Sequence, residues 1–300
     1  MVLANFGNIV RKLLIILFIL PLFVQGQNLT RIVGRDSDSN RVFQKYADGG
    51  LQVTTAETQF NLDVAMGTIT GHSIVEKFGE NPDIDTGTDP EDIWSFGGIY
   101  TYSTTDDIDR LSSSSASDTE DITVVGLDTN WAEVTQVITL TGQTPVALTT
   151  DLIRVYRMYN SNGTDLVGTV YCFVDGATSS GVPNTAADVR AVITIGSGQT
   201  EMCIYTIPAG KTGYFYGGYV SLSRTGNNGA VFTSRIRAFG GVFKVVSRIA
   251  CVATGNSSWQ YKYPFPVAIP EKTDMLLRCD EVDANGTGVS GGFTILLVDN

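Results

Sequence analysis

From residue 121 to the C-terminus, short apolar runs rich in Val, Ile, Tyr and Phe alternate with turn clusters, and no stretch repeats at the 3.6-residue period of a helix face. The first pair, Ile122–Val125 and Val134–Leu140, flanks GLDTNWAE, whose Gly126, Asp128 and Asn130 supply the turn chemistry of a hairpin with a longer loop. Further strands are predicted at Leu152–Tyr159, Leu166–Phe173, Val189–Ile195, Met202–Ile207, Gly213–Ser223, Ala230–Phe239, Val242–Ala253, Tyr261–Ile269, Asp274–Val282 and Gly291–Val298. SNGTD, SGSGQ, PAGKT, GNNG, PEKTD and DANGTG separate them. This pattern predicts an all-β protein with an antiparallel β-sandwich or jelly-roll body. The body is either one large sandwich or two in tandem, over 121–200 and 201–300.

Upstream the pattern changes. Residues 71–100, GHSIVEKFGENPDIDTGTDPEDIWSFGGIY, fit neither regular period, and Pro82 and Pro90 each remove a backbone donor and hold their predecessors extended. The expectation is an ordered, extended connector that lies along its own body or along a neighbouring subunit. Its aromatic residues Phe78, Trp94 and Tyr100, with His72, are the candidate docking residues, because a loop that only spans space is usually polar. TTDDIDRLSSSSASDTED at 104–121 predicts an acidic, Ser-rich surface loop, and 51–65 one or two weak strands in a polar arm. Residues 27–120 thus form an extended arm and connector ahead of the body.

Residues 1–26 are a hydrophobic segment: Arg11 and Lys12 precede the apolar run Leu13–Val24, which Gln25, Gly26 and Gln27 follow. That is the order of a secretory signal, and the run is shorter than the roughly twenty residues a bilayer-spanning helix takes. A cleaved signal, a short membrane anchor through residues 13–24 and an upstream extension of a soluble protein all stay open.

The formal net charge of -11, from 31 acidic and 20 basic residues, argues against a nucleic-acid partner, since phosphate contacts need clustered Lys and Arg. The four cysteines, Cys172, Cys203, Cys251 and Cys279, sit in predicted strands without a CxxC pair, which disfavours zinc and leaves buried thiols ahead of inter-strand disulfides. His72 is the only histidine, so a nucleophile triad or a paired-histidine metal site has little to be built from. Asp83, Asp85, Asp89, Glu91 and Asp92 lack the spacing of a calcium loop and predict turn carboxylates. No cofactor, metal or catalytic residue is expected, and the chain is expected not to be an enzyme. Tyr214 and Tyr216, in a tyrosine-rich run, and Trp259, in a second aromatic cluster, are candidate contacts for a host surface glycan. Core and interface packing is the stronger expectation for such aromatics.

Several separated segments carry a resemblance in the same order: GHSIVEKFGENPDID, EDIW, GGIY, TVVGLDTNWAEVTQVITLTGQTPV, YTIPAGKTGYF, PEKTDMLLRCDEV and GFTILLVDN. Over roughly residues 66–300 the chain resembles virion-associated structural proteins of tailed bacteriophages, marine ones especially, of the capsid-decorating, head-fibre or tail-fibre type. The resemblance implies a non-enzymatic component of a virus particle, with other capsid or tail proteins as partners, homo-oligomerisation expected from particle symmetry and a trimer as one form of it. The alternative is a secreted or surface-anchored β-sandwich adhesin or carbohydrate-binding module, which would use the signal-like N-terminus.

Overall fold

The structure, a computed structural model, describes short backbone elements between residues 33 and 58. From residue 59 to 300 it describes backbone and side chains, except at 223–227 and 255–256. Two compact units divide the chain, Met1–Thr68 and Ile69–Asn300. In the first, β1 (Val33–Arg35), β2 (Arg41–Ala47) and β3 (Gly50–Val53) form an antiparallel meander, followed by α1 (Ala56–Ala65). The weak strands expected over 51–65 stop at Val53. AETQFNLDVA contains no Gly or Pro and is rich in good helix formers, so local propensity decides for helix. The hydrophobic segment 1–26 lies outside the described residues, and no described helix is long and apolar enough to cross a membrane.

In the second unit the strands run β4 (His72–Ile84), β5 (Glu91–Asp92), β6 (Ile108–Ser113), β7 (Asp121–Leu127), β8 (Glu133–Thr139), β9 (Val146–Leu152) and β10 (Arg154–Asn160). They continue as β11 (Val170–Val174), β12 (Thr178–Ser179), β13 (Val182–Pro183), β14 (Val189–Ile193), β15 (Ile204–Thr206) and β16 (Lys211–Leu222). The last five are β17 (Gly229–Arg237), β18 (Lys244–Val252), β19 (Ser258–Ile269), β20 (Asp274–Val282) and β21 (Thr287–Asp299). Two antiparallel sheets, ordered β15-β20-β17-β18 and β19-β16-β21-β4, enclose one core around Phe215, Phe232, Leu277 and Phe293. Two more, β10-β7-β8 and β14-β11-β6-β9, enclose a second around Leu111, Ile122, Met158 and Val170. The all-β sandwich expectation stands.

The order of strands within these sheets redraws the expected boundaries at 120/121 and 200/201. The sandwich made by β15–β21 is completed by β4 and β5, and the chain between them, β6–β14, is a second sandwich inserted into the first. Within 71–100, β4 is no mere connector: it pairs with β21 from His72 opposite Val298 to Ile84 opposite Thr287. It escapes the alternation test because three of the four buried positions along it are Lys77, Gly79 and Asn81, and only Ile84 at its end is apolar. Pro82 is tolerated because β4 is an edge strand.

The expected surface loop at 104–121 is also corrected. It contains β6, an interior strand between β11 and β9, with Ile108, Leu111, Ser112 and Ser113 buried. Its serines are satisfied locally: Ser112 donates to the Gly181 carbonyl at 2.7 Å and Ser113 to the Asp118 carboxylate at 2.5 Å. Asp118, fully buried, also accepts from the Val167 and Gly168 amides at 2.8 and 2.9 Å. Low complexity misled here because small hydroxyl side chains pack closely once each has a partner.

Candidate functional site

The segment between β4 and β6 lies along its own body. Asp92, fully buried, accepts from Arg278 Nε at 2.6 Å and Nη2 at 3.1 Å and from the Tyr100 amide at 2.8 Å. Glu91 accepts from Asn81 Nδ2 at 2.9 Å, the Gly98 amide at 2.6 Å and Thr88 Oγ1 at 2.7 Å. These carboxylates hold the strap. The pinning carries Trp94 and Tyr100 into the core of the inserted sandwich, where the rings meet edge-on at 5.1 Å. Neither Trp94 nor Tyr100 is therefore available to dock a partner, which corrects their expected role.

Phe78 does face outward, 39% exposed, opposite Gly292 on β21. His72 opens β4 half-buried, its Nδ1 at 3.0 Å from the Thr70 carbonyl. Tyr214 and Tyr216 are half-buried on the interior strand β16, and Trp259 is exposed on β19, paired with Val220. Six positions separate Tyr214 from Val220, roughly 20 Å of strand, so these three aromatics do not share one platform.

Two features stand out that periodicity did not single out as sites. The first is the open side of the carboxy-terminal sandwich, where β18 and β19 are both sheet edges. Exposed apolar side chains line them: Val245, Val246 and Val252 on β18, and Trp259, Phe265 and Val267 on β19. Phe265, between Pro264 and Pro266 where the register with β16 breaks, is 84% exposed. A narrow apolar slot between the sheets, walled by Phe215, Ile236, Tyr263, Ile269 and Leu277, opens beside Val246 and Val267. The sequence signal was present in SWQYKYPFPVAI, a strand whose apolar residues alternate with polar ones but which carries Pro twice, the mark of an edge.

The second is a cleft of about 400 Å³ between β4 and the inserted sandwich, lined by Ile74, Val75, Lys77, Phe78, Val125, Glu133, Tyr156 and Tyr205 among others. Lys77 is buried, donates from Nζ to the Tyr156 carbonyl and lies 5.9 Å from the Tyr156 ring centroid. No carboxylate among the described residues forms an ion pair with it, and burial pulls its ammonium down to about 7. Tyr156 donates to Glu133 Oε2 at 2.7 Å. The Tyr205 hydroxyl is enclosed beside Tyr156 with no hydrogen bond of ordinary geometry, and burial pushes its ionisation up. All four cysteines are buried free thiols; burial raises Cys172 and Cys279 to about 12, far from a reactive thiolate.

No protein-family model matches the chain, and no curated protein matches it. Among solved structures, infectious bursal disease virus Gt strain aligns over 80% of this chain and 78% of its own at 14% identity, with a TM-score of 0.20. The VP2 subviral particle of the same virus aligns over 80% and 77% at 11% identity, again with a TM-score of 0.20. A likeness at that level carries no argument about this chain.

Proposed function

We propose that this protein is a non-enzymatic structural component of a virus particle, joined to its neighbours through the β18–β19 edge of its carboxy-terminal sandwich. The observation that carries the reading is the exposed apolar strip on two adjoining edge strands, with Phe265 at 84% exposure beside an open apolar slot. Edge strands left unpaired and lined with apolar side chains are a template for an extended segment of another chain. The resemblance over residues 66–300 to virion-associated proteins of tailed phages supplies the class of partner, other capsid or tail proteins or further copies of this chain. A capsid-decorating or fibre role, with the body projecting outward, follows from that resemblance. The docking surface, by contrast, moves from the strap at 71–100 to the opposite edge of the same sandwich.

Mass spectrometry of particles purified from cells expressing the gene tests the reading. The chain is expected in the particles, and Phe265→Asp is expected to fold with unchanged melting temperature yet to be missing from them. Absence of the unaltered chain from purified particles overturns the virion reading. Full incorporation of Phe265→Asp overturns the docking edge alone.

A further inference from the structure

The cleft beside β4 holds a buried lysine that no carboxylate among the described residues pairs with, and the enclosed Tyr205 hydroxyl, which has only the Tyr156 hydroxyl beside it and no hydrogen bond of ordinary geometry; both line the same space. A lysine ammonium has three N–H donors, and here the Tyr156 carbonyl takes one of them. Keeping such a group ionised in a desolvated place is costly unless an anion joins it. Around it the walls contributed by Ile74, Val75, Phe78 and Val125 are apolar, and the volume suits a small organic molecule. We propose that this cleft is a binding site for a small carboxylate-bearing molecule with an apolar body. Its carboxylate accepts from Lys77 Nζ and the Tyr205 hydroxyl, and its body rests on Val75 and Val125, on the same side of β4 as Lys77.

Other ionisable groups around Lys77 bear on how binding responds to pH. Arg157 and Tyr156 face it from β10, Cys203 from the chain entering β15, Tyr205 from β15 and Glu133 from the start of β8, and Glu76 lines the same cleft from β4. Arg157 carries the same sign as Lys77 and offsets one of the two carboxylates that line the cleft, Glu76 and Glu133, of which Glu133 already accepts from the Tyr156 hydroxyl. Cys203 and Tyr205 are held neutral by burial. Burial brings Lys77 down to about 7, so carboxylate affinity should follow its charge.

The test is calorimetric titration of the full chain with benzoate and, as an uncharged control of the same shape, benzamide. Benzoate should bind at about pH 6 and at least about tenfold more weakly at about pH 8.5, and benzamide should not bind. Lys77→Met, checked by circular dichroism for an intact fold, should lose benzoate binding, and Tyr205→Phe should weaken it several-fold. The proposal is overturned if benzamide binds as well as benzoate, if folded Lys77→Met still takes benzoate, or if benzoate does not bind at either pH. Should Lys77→Met fail to fold, loss of benzoate affinity with rising pH in the unaltered protein carries the test.

Discussion

Arg154 on β10 and Asp274 on β20 meet as a two-pronged ion pair, Nε to Oδ1 at 2.8 Å and Nη2 to Oδ2 at 3.2 Å, joining the inserted sandwich to the one that hosts it. Asp274 is the hub: Arg237 Nη2 reaches Oδ2 at 2.6 Å and Thr206 donates to Oδ1 at 2.7 Å. Arg154 in turn stacks on Tyr102 and Trp131, at 5.1 and 4.8 Å from their ring centroids, and donates to the Ser103 carbonyl at 2.6 Å. Two guanidinium groups share one buried carboxylate here, so its charge is what makes the second cation tolerable.

Asp274→Asn should therefore cost about 3 kcal/mol or more in urea unfolding, the scale for removing one partner of a buried pair and stranding the other. Arg248→Ala is the control. Its guanidinium pairs with Asp280 at 2.9 Å but its side chain is 54% exposed, so the loss should stay below about 1 kcal/mol. Equal losses for the two variants would refute the hub.

The strands that host this network were legible in the sequence, and their partnership was not. β7, β8, β17, β20 and β21 follow from apolar runs and turn residues. That β4 closes the sandwich of β21 could not be read, because pairing between residues more than two hundred positions apart leaves no local period, and Lys77, Gly79 and Asn81 hide the strand. The aromatic strap was legible as something that lies along a surface; its surface is its own body, since Asp92 and Glu91 turn it inward. The cleft at Lys77 was invisible for the same reason: its walls come from β4, β7, β8, β10 and β15.

Gly126 on β7 gives a sharper test of how closely β7 and β10 approach each other. A Cβ built there would lie 2.1 Å from the Arg154 carbonyl oxygen and 2.8 Å from Leu152 Cδ1, and neither backbone can retreat without breaking the β7–β10 ladder. Gly126→Ala should lower stability by about 2 kcal/mol or more. Gly163, with open space around its Cβ position, should accept Ala within about 0.5 kcal/mol. Thermal melts of both variants distinguish a packing constraint from a general intolerance of glycine replacement.

The burial of Lys77 also predicts the sign of a pH effect on folding. Burial brings its ammonium to about 7 in the folded chain, against the ordinary lysine value of 10.5. Below about pH 7 both states hold the proton, and the folded state carries the whole cost of a buried charge. Between about 7 and 10.5 the unfolded chain binds a proton that the folded chain does not, so this group makes stability rise with pH across that window. The difference in unfolding free energy between the unaltered protein and Lys77→Met should shift by a few kcal/mol in favour of the unaltered protein from about pH 6 to about pH 9.5. A difference that stays constant would mean that Lys77 keeps its water in the folded state.

Removing residues 71–98 separates an attachment strap from a structural strand most directly. A strap that only docked the protein could be cut away to leave a soluble body. The deletion here takes β4 from β21, leaving one edge of β21 unpaired along eleven register positions while the other stays on β16. It also removes Asp92 from beneath Arg278, stranding a guanidinium whose side chain is 13% exposed, and it takes Trp94 out of the second core. Each loss falls among the costly kinds, an uncompensated buried charge and a large buried aromatic, and together they exceed the stability of an ordinary domain. The shortened chain should be insoluble or lack a cooperative melt, whereas a chain beginning at Ile69 should keep the melting temperature of its β-body. Sedimentation velocity and differential scanning calorimetry on the two shortened chains decide the matter, and a soluble, cooperatively melting deletion product would return 71–98 to the role of a dispensable strap.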